Sequence, residues 1–136
     1  MTADPGTPST DRADLRALGY ATMRSVVWGK ETDPTREFDL RDGGIGEEIV
    51  EIGLVSVWAE LWAREGLSRR DRSLVTLGVL IALGAEDEAG NHAKFALRNG
   101  LTREELSEVI YHAAGYAGFP RALAARKAIR AALGEK

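Results

Sequence analysis

The stretch EGLSRRDRSLV at residues 65–75 returns as NGLTREELSEV at residues 99–109, and this duplication decides the fold. In each copy a Gly-Leu pair leads to a hydroxyl residue, Ser68 or Thr102, with an acid three positions on, Asp71 or Glu105. The hydroxyl suits the first free amides of a helix, and the acid completes the capping pattern. Gly84 and Gly118 close the two capped segments at matching positions. A second helix follows each glycine, one over about 86–98 that ends at Asn99-Gly100, the other opened by Pro120 after the turn Ala117-Gly118-Phe119. The sequence therefore predicts a duplicated helical hairpin. Its period matches tetratricopeptide arrays, about 34 residues, but two copies fall short of the three a solenoid needs, so a bundle is expected instead.

Working outward, residues 46–65 carry Ile49, Ile52, Leu54, Val55, Val57, Trp58, Leu61 and Trp62 around most of a helical circumference. That pattern predicts a central helix contacted on several sides. The helix over 69–83 is nearly wholly apolar, with Leu74, Val75, Leu77, Val79, Leu80, Ile81 and Leu83, and is expected to form the core. Upstream, Gly29, Pro34, Gly43, Gly44 and Gly46 mark 29–46 as a long irregular loop, of the kind that lines sites. Asp11 caps a helix over 12–28. Residues 1–10, with two prolines and little to bury, read as a disordered tail. The expectation is an all-α bundle of about six helices, one domain over residues 11–136.

Composition narrows the function. The 136-residue chain has no cysteine, which removes disulfides, thiolate metal sites and thiol redox chemistry together. With 18 Lys+Arg against 21 Asp+Glu its formal charge is -3, giving no field to attract nucleic acid. No apolar run approaches the roughly 18 residues of a membrane span, and the polar start lacks a signal-peptide pattern, so a cytoplasmic location is expected.

Among candidate chemical groups, Glu60 sits between Trp58 and Trp62, with Arg64 four residues on. Partial desolvation there would raise a carboxyl pKa and suit proton transfer, whereas an exposed Glu60–Arg64 pair is the structural alternative. His92 lies among Ala89, Ala93 and Ala96, with Glu88 one turn earlier. It reads equally as a proton shuttle and as half of a helix-surface pair. His112 beside Tyr111 reads as a packed or interface histidine. Arg69, Arg70 and Arg72 fall in the first turn of a helix, where the macrodipole disfavours cations. A bound carboxylate, or an acidic surface from another subunit, would offset this at Arg72, and pairing to Asp71 or Glu65 would do so at Arg69 and Arg70. Two histidines at no recognised ligand spacing support no metal site.

The segments WAELWAREGLSRRDRSLVTLGVLIALG from Trp58, EDEAGNHAKFALRNGLTREEL from Glu86 and YHAAGYAGFPRA from Tyr111 together resemble the carboxymuconolactone decarboxylase family, within the alkylhydroperoxidase D-like superfamily. The resemblance spans about residues 14–133. It implies an all-helical fold assembled as a homo-oligomer, a trimer or hexamer, in which neighbouring subunits complete the pocket. The family's Trp-Gly-Glu-x-Trp-x-Arg pattern falls on Trp58, Ala59, Glu60, Trp62 and Arg64, its Arg-Ser-Leu on Arg72, Ser73 and Leu74, and its helical histidine on His92. Ala59 replaces the usual glycine, and Asp87 stands where a histidine is common. The Cys-x-x-Cys pair of the peroxidase branch is absent.

The resemblance implies a cofactor-free decarboxylase of a small cyclic carboxylic acid or lactone, as in aromatic-compound catabolism. His92 and Glu60 are then the acid–base groups, and Arg72, Arg64, Trp58, Trp62 and Asp87 bind substrate. Two other readings stand beside it: a proton-transfer isomerase or cyclase using the same site, and a non-catalytic binding or assembly module.

Overall fold

A computed structural model of the chain describes residues 11–30, 33 and 39–136. The tail expected over 1–10 and part of the loop expected over 29–46 lie outside them. Among the described residues every regular element is helical: α1 (Arg12–Trp28), α2 (Ile49–Gly53), a π-helix, π1 (Leu54–Trp62), then α3 (Arg69–Leu83), α4 (Glu86–Arg98), α5 (Arg103–Ala117) and α6 (Phe119–Ala132). They group into two compact units, one ending at Glu65 and one spanning Gly66–Lys136.

In the first unit α1 packs along π1. Asp11 caps α1 by accepting the Ala13 N–H at 2.7 Å, and Gly29 ends it with φ 65°. Met23, Val26, Leu54, Val55, Ala59 and Trp62 are buried. The helices meet closely because Gly19 has no side chain: a Cβ there would stand 1.8 Å from the Leu54 carbonyl oxygen. Arg16 fixes α1 to α2 with two hydrogen bonds to the Glu51 carboxylate, at 2.6 and 2.7 Å. Glu51 also accepts the Leu40 N–H at 3.0 Å, tying the incoming loop to the same point.

The expected central helix departs from the α form. Its inward residues come in pairs four apart, Leu54-Val55, Trp58-Ala59 and Trp62-Ala63, and Ser56-Val57 and Glu60-Leu61 are exposed between them. At 3.6 residues per turn the third pair would rotate roughly 80° away from the first. The segment takes the wider π turn, which drifts by a similar angle in the opposite sense, and Trp58 and Trp62 stack with ring centroids 5.5 Å apart. Within its own unit the helix is covered on the side of these three pairs.

The second unit is the duplicated hairpin. The Ser68 hydroxyl accepts the Asp71 N–H and the Thr102 hydroxyl accepts the Glu105 N–H, each at 3.1 Å, and Glu105 returns the bond to close its capping box. Gly84 and Gly118 both take positive φ, 72° and 96°, backbone that side-chain-bearing residues avoid. Helix α3 packs on α4 and α5, and α6 packs on α4 and α5. Leu77, Ala93, Ala96, Leu101, Leu106 and Ile129 make the core. Small residues bring α4 and α6 close: Gly90 lies where a Cβ would meet the Ala128 carbonyl oxygen at 3.2 Å. Helix α3 is apolar all round but buried on one strip, Ser73, Leu77 and Ile81, because its neighbours cover only that side. Val75, Val79 and Leu83 are exposed.

Candidate functional site

The residues singled out from sequence divide between the units. In the first, Trp58 and Trp62 turn inward while Glu60 and Arg64 are exposed. The partial desolvation expected of Glu60 is therefore not found among the described residues, since a residue two positions after an inward Trp58 falls on the opposite face of a helix. Ala59 is buried, so the methyl that replaces the family's glycine is accommodated in the packed side.

In the second unit His92 stands on α4 above the Ala89–Ala93–Ala96 strip, all three fully buried. The small neighbours let the imidazole sink part-way, with Nδ1 buried and the ring edge-on to Phe95 at 4.9 Å between centroids. Burial holds its pKa below the usual histidine value, and the Glu88 carboxylate one turn earlier opposes that shift. A histidine shifted in that direction does not, for the most part, carry protons on both nitrogens near pH 7. Asp87 is exposed and lies five residues before His92, roughly 140° around the helix. Glu88, not Asp87, is the carboxylate on the histidine's side.

The three arginines at the start of α3 differ. Arg70 is ion-paired with Glu105 and lies 3.6 Å from Asp71, which offsets its position at a helix N-terminus. Arg69 is exposed. Arg72 is half-buried with Nε fully covered, one position before Ser73, which is wholly buried and accepts a hydrogen bond from the Asn99 side chain at 2.9 Å. That bond ties the first turn of α3 to the α4–α5 turn and fixes the direction from which Arg72 departs.

An open groove of about 580 Å³ runs between α3 and α5. Leu74, Gly78 and Ala82 line the α3 side, while Glu108, His112 and Tyr116 stand one turn apart along α5. The His112 and Tyr116 rings lie 5.3 Å apart. Arg72, Asp87 and His92 are not among its lining residues. The spacing of Glu108, His112 and Tyr116 was present in the sequence, but exposed helix residues share it, so only the facing row of α3 reveals the groove. No group of acidic and histidine side chains suited to a metal ion occurs among the described residues.

This helical frame and these residues place the chain. Residues 53–131, more than half of it, match the model of the carboxymuconolactone decarboxylase family, and the chain belongs to that family. Over 68 residues, 50% of this chain, it is 52% identical to the 4-carboxymuconolactone decarboxylase of Acinetobacter baylyi, covering 51% of that protein. Over 68 residues it is 44% identical to the nitrosuccinic acid decarboxylase of Metarhizium robertsii, covering 50% of this chain and 48% of the relative. The chain spans about half the length of the curated relatives it matches.

Proposed function

We propose that the protein is a cofactor-free decarboxylase of a small carboxylic acid, acting in the cytoplasm as a homo-oligomer, a trimer or hexamer, with residues 11–136 as its catalytic domain. The likeness to two decarboxylases is the observation that carries the reading. The acids in their names share a chemical feature. In a carboxymuconolactone the electron pair left by departing carbon dioxide passes through the ring double bond into the lactone carbonyl, and in nitrosuccinic acid it passes into the nitro group. The acceptor is part of the substrate, so the protein need only bind the acid, steady the resulting anion and return a proton to carbon.

His92 suits the proton step for an electrostatic reason. Burial keeps the imidazole neutral, and an arriving anion opposes that effect by favouring the imidazolium. Substrate binding thus charges the histidine with the proton the carbanion later takes. Arg72, held by the Ser73–Asn99 bond, is the partner for a substrate carboxylate. Asp87 is proposed as a substrate contact on α4. In the first unit Glu60 is the second acid–base candidate, and Arg64, Trp58 and Trp62 are its binding candidates. The α3/α5 groove suits a carboxylate substrate poorly, because its lining is largely apolar and Glu108 on its wall repels carboxylates.

The exposed Glu60 favours a second reading, in which the fold serves binding or assembly without chemistry. One experiment separates the two. Purified protein is given 4-carboxymuconolactone or nitrosuccinate carrying labelled carboxylate, and labelled carbon dioxide is collected. Decarboxylation predicts release that falls at least 100-fold, on the order expected for loss of an acid–base group, in His92→Ala. Absence of release from either acid, or an undiminished rate in His92→Ala with Glu60→Ala, refutes the assignment of these residues.

A further inference from the structure

We propose that the α3/α5 groove receives a second copy of this chain, with the α3 ridge of each copy seated in the groove of the other about a two-fold axis. The inference deepens the homo-oligomeric reading above by selecting the hexamer, since a trimer has no two-fold axis, and is independent of decarboxylation.

Two rows run side by side along α3. Leu74, Gly78 and Ala82 form the groove wall, and Val75, Val79 and Leu83, one residue further round, form a ridge. The ridge is largely uncovered, at 59%, 52% and 69% exposure. Both rows repeat every four residues, the spacing at which the ridges of one helix enter the grooves of another. A ridge and a groove of equal spacing on one face form a self-complementary surface, which a two-fold contact requires.

Gly78 points the same way. It lies inside a helix, where glycine costs stability, yet a Cβ there would meet nothing within 4 Å. Among the described residues nothing needs the glycine, whereas a helix arriving from outside would use the space it leaves. The ridge, the groove wall and Tyr116, itself 88% exposed, present apolar surface. We put it on the order of 500 Å² per copy, so two copies bury about 1,000 Å², the size at which a specific interface holds. Charge agrees as well. Antiparallel α3 helices bring Arg69, in the first turn of one, beside the partially negative C-terminal end of the other.

The absence of cysteine makes the test clean, because any introduced cysteine is unique. Assembled mass is measured by native mass spectrometry and sedimentation for wild type, Gly78→Leu, which fills the groove without a clash in its own chain, and Val79→Lys, which charges the ridge. The expected result is a mass halved in the variants with far-UV circular dichroism unchanged. Val79→Cys is expected to form an intermolecular disulfide on mild oxidation, and Lys127→Cys on α6 is not. A halved mass in either folded variant, together with the Val79→Cys cross-link, supports the inference. An oligomer whose mass is unchanged in both variants overturns this interface and leaves the assembly reading standing. A monomeric wild type overturns both.

Discussion

Gly19→Ala is a sharp test of how the first unit is held together. The added Cβ would lie 1.8 Å from the Leu54 carbonyl oxygen and 2.6 Å from its carbon. Ordinary contact begins at 3.4 Å, and the obstructing atoms are backbone that cannot rotate aside. Helix α1 must therefore withdraw by roughly 1.5 Å, and a gap of that order forfeits half or more of the dispersion contact across it. Val26 and Leu54 are fully buried at this seam and Met23 nearly so. At about 2 kcal/mol for each buried side chain, losing half costs about 3 kcal/mol. Replacing a helical glycine by alanine returns about 1 kcal/mol, so the net loss is about 2 kcal/mol. Trp28, Trp58 and Trp62 are the chain's three tryptophans and all belong to the first unit, so their fluorescence reads that unit alone. With a urea slope of about 1 kcal/mol per molar for so small a unit, the midpoint should fall by about 2 M. Gly53→Ala is the control, since nothing lies within 4 Å of its Cβ, and it should raise the midpoint. A Gly19→Ala protein that unfolds at or above the wild-type midpoint, beside a well-behaved Gly53→Ala, refutes the close approach.

Two pH dependences follow from named groups. Burial lowers the His92 pKa below its ordinary 6.5, so the unfolded chain takes up the proton first; stability is complete above that value and declines as pH falls below it. Protection factors of the α4 amides, which divide out the intrinsic pH dependence of exchange, should fall below pH 6.5 in wild type, and His92→Gln should remove that part of the dependence. Glu51 is held below its ordinary 4.5, first by the Arg16 hydrogen bonds, so the stability it adds is present above 4.5 and lost as the folded carboxylate is protonated at lower pH. Glu51→Gln should cost about 1–2 kcal/mol at pH 7, allowing for partial exposure, and flatten the acid limb of the tryptophan-monitored melt.

The second unit was legible in sequence because its signals are local. Ser68, Thr102, Asp71 and Glu105 cap the nearest amides, and Gly84 and Gly118 take backbone conformations few other residues accept, so each boundary follows from a few adjacent residues. The π turn of Leu54–Trp62 was not legible in the same way. The same apolar run would serve an α-helix, and local propensity does not encode the choice between the two turns. The Arg16–Glu51 clamp spans 35 residues and has no local pattern at all. For α3, composition gave the apolar character but could not say how many sides neighbours would cover.

That uncovered side bears on how chemistry and assembly are divided along one helix. Arg72 precedes Leu74 by two residues, roughly 200° of rotation, and Val75 by three, roughly 300°, so the arginine lies opposite the groove row but within about 60° of the ridge. The groove side is apolar with carboxylates on its far wall, a surface that favours another helix and disfavours a carboxylate substrate. The Arg72 end is anchored by a buried hydroxyl and an amide, a connection that sets direction without adding a negative charge. A contact that buried Val75, Val79 and Leu83 would therefore also run along the Arg72 side chain, so the guanidinium sits at the N-terminal edge of the apolar ridge, where it must keep its water or gain an anionic partner when that ridge is covered.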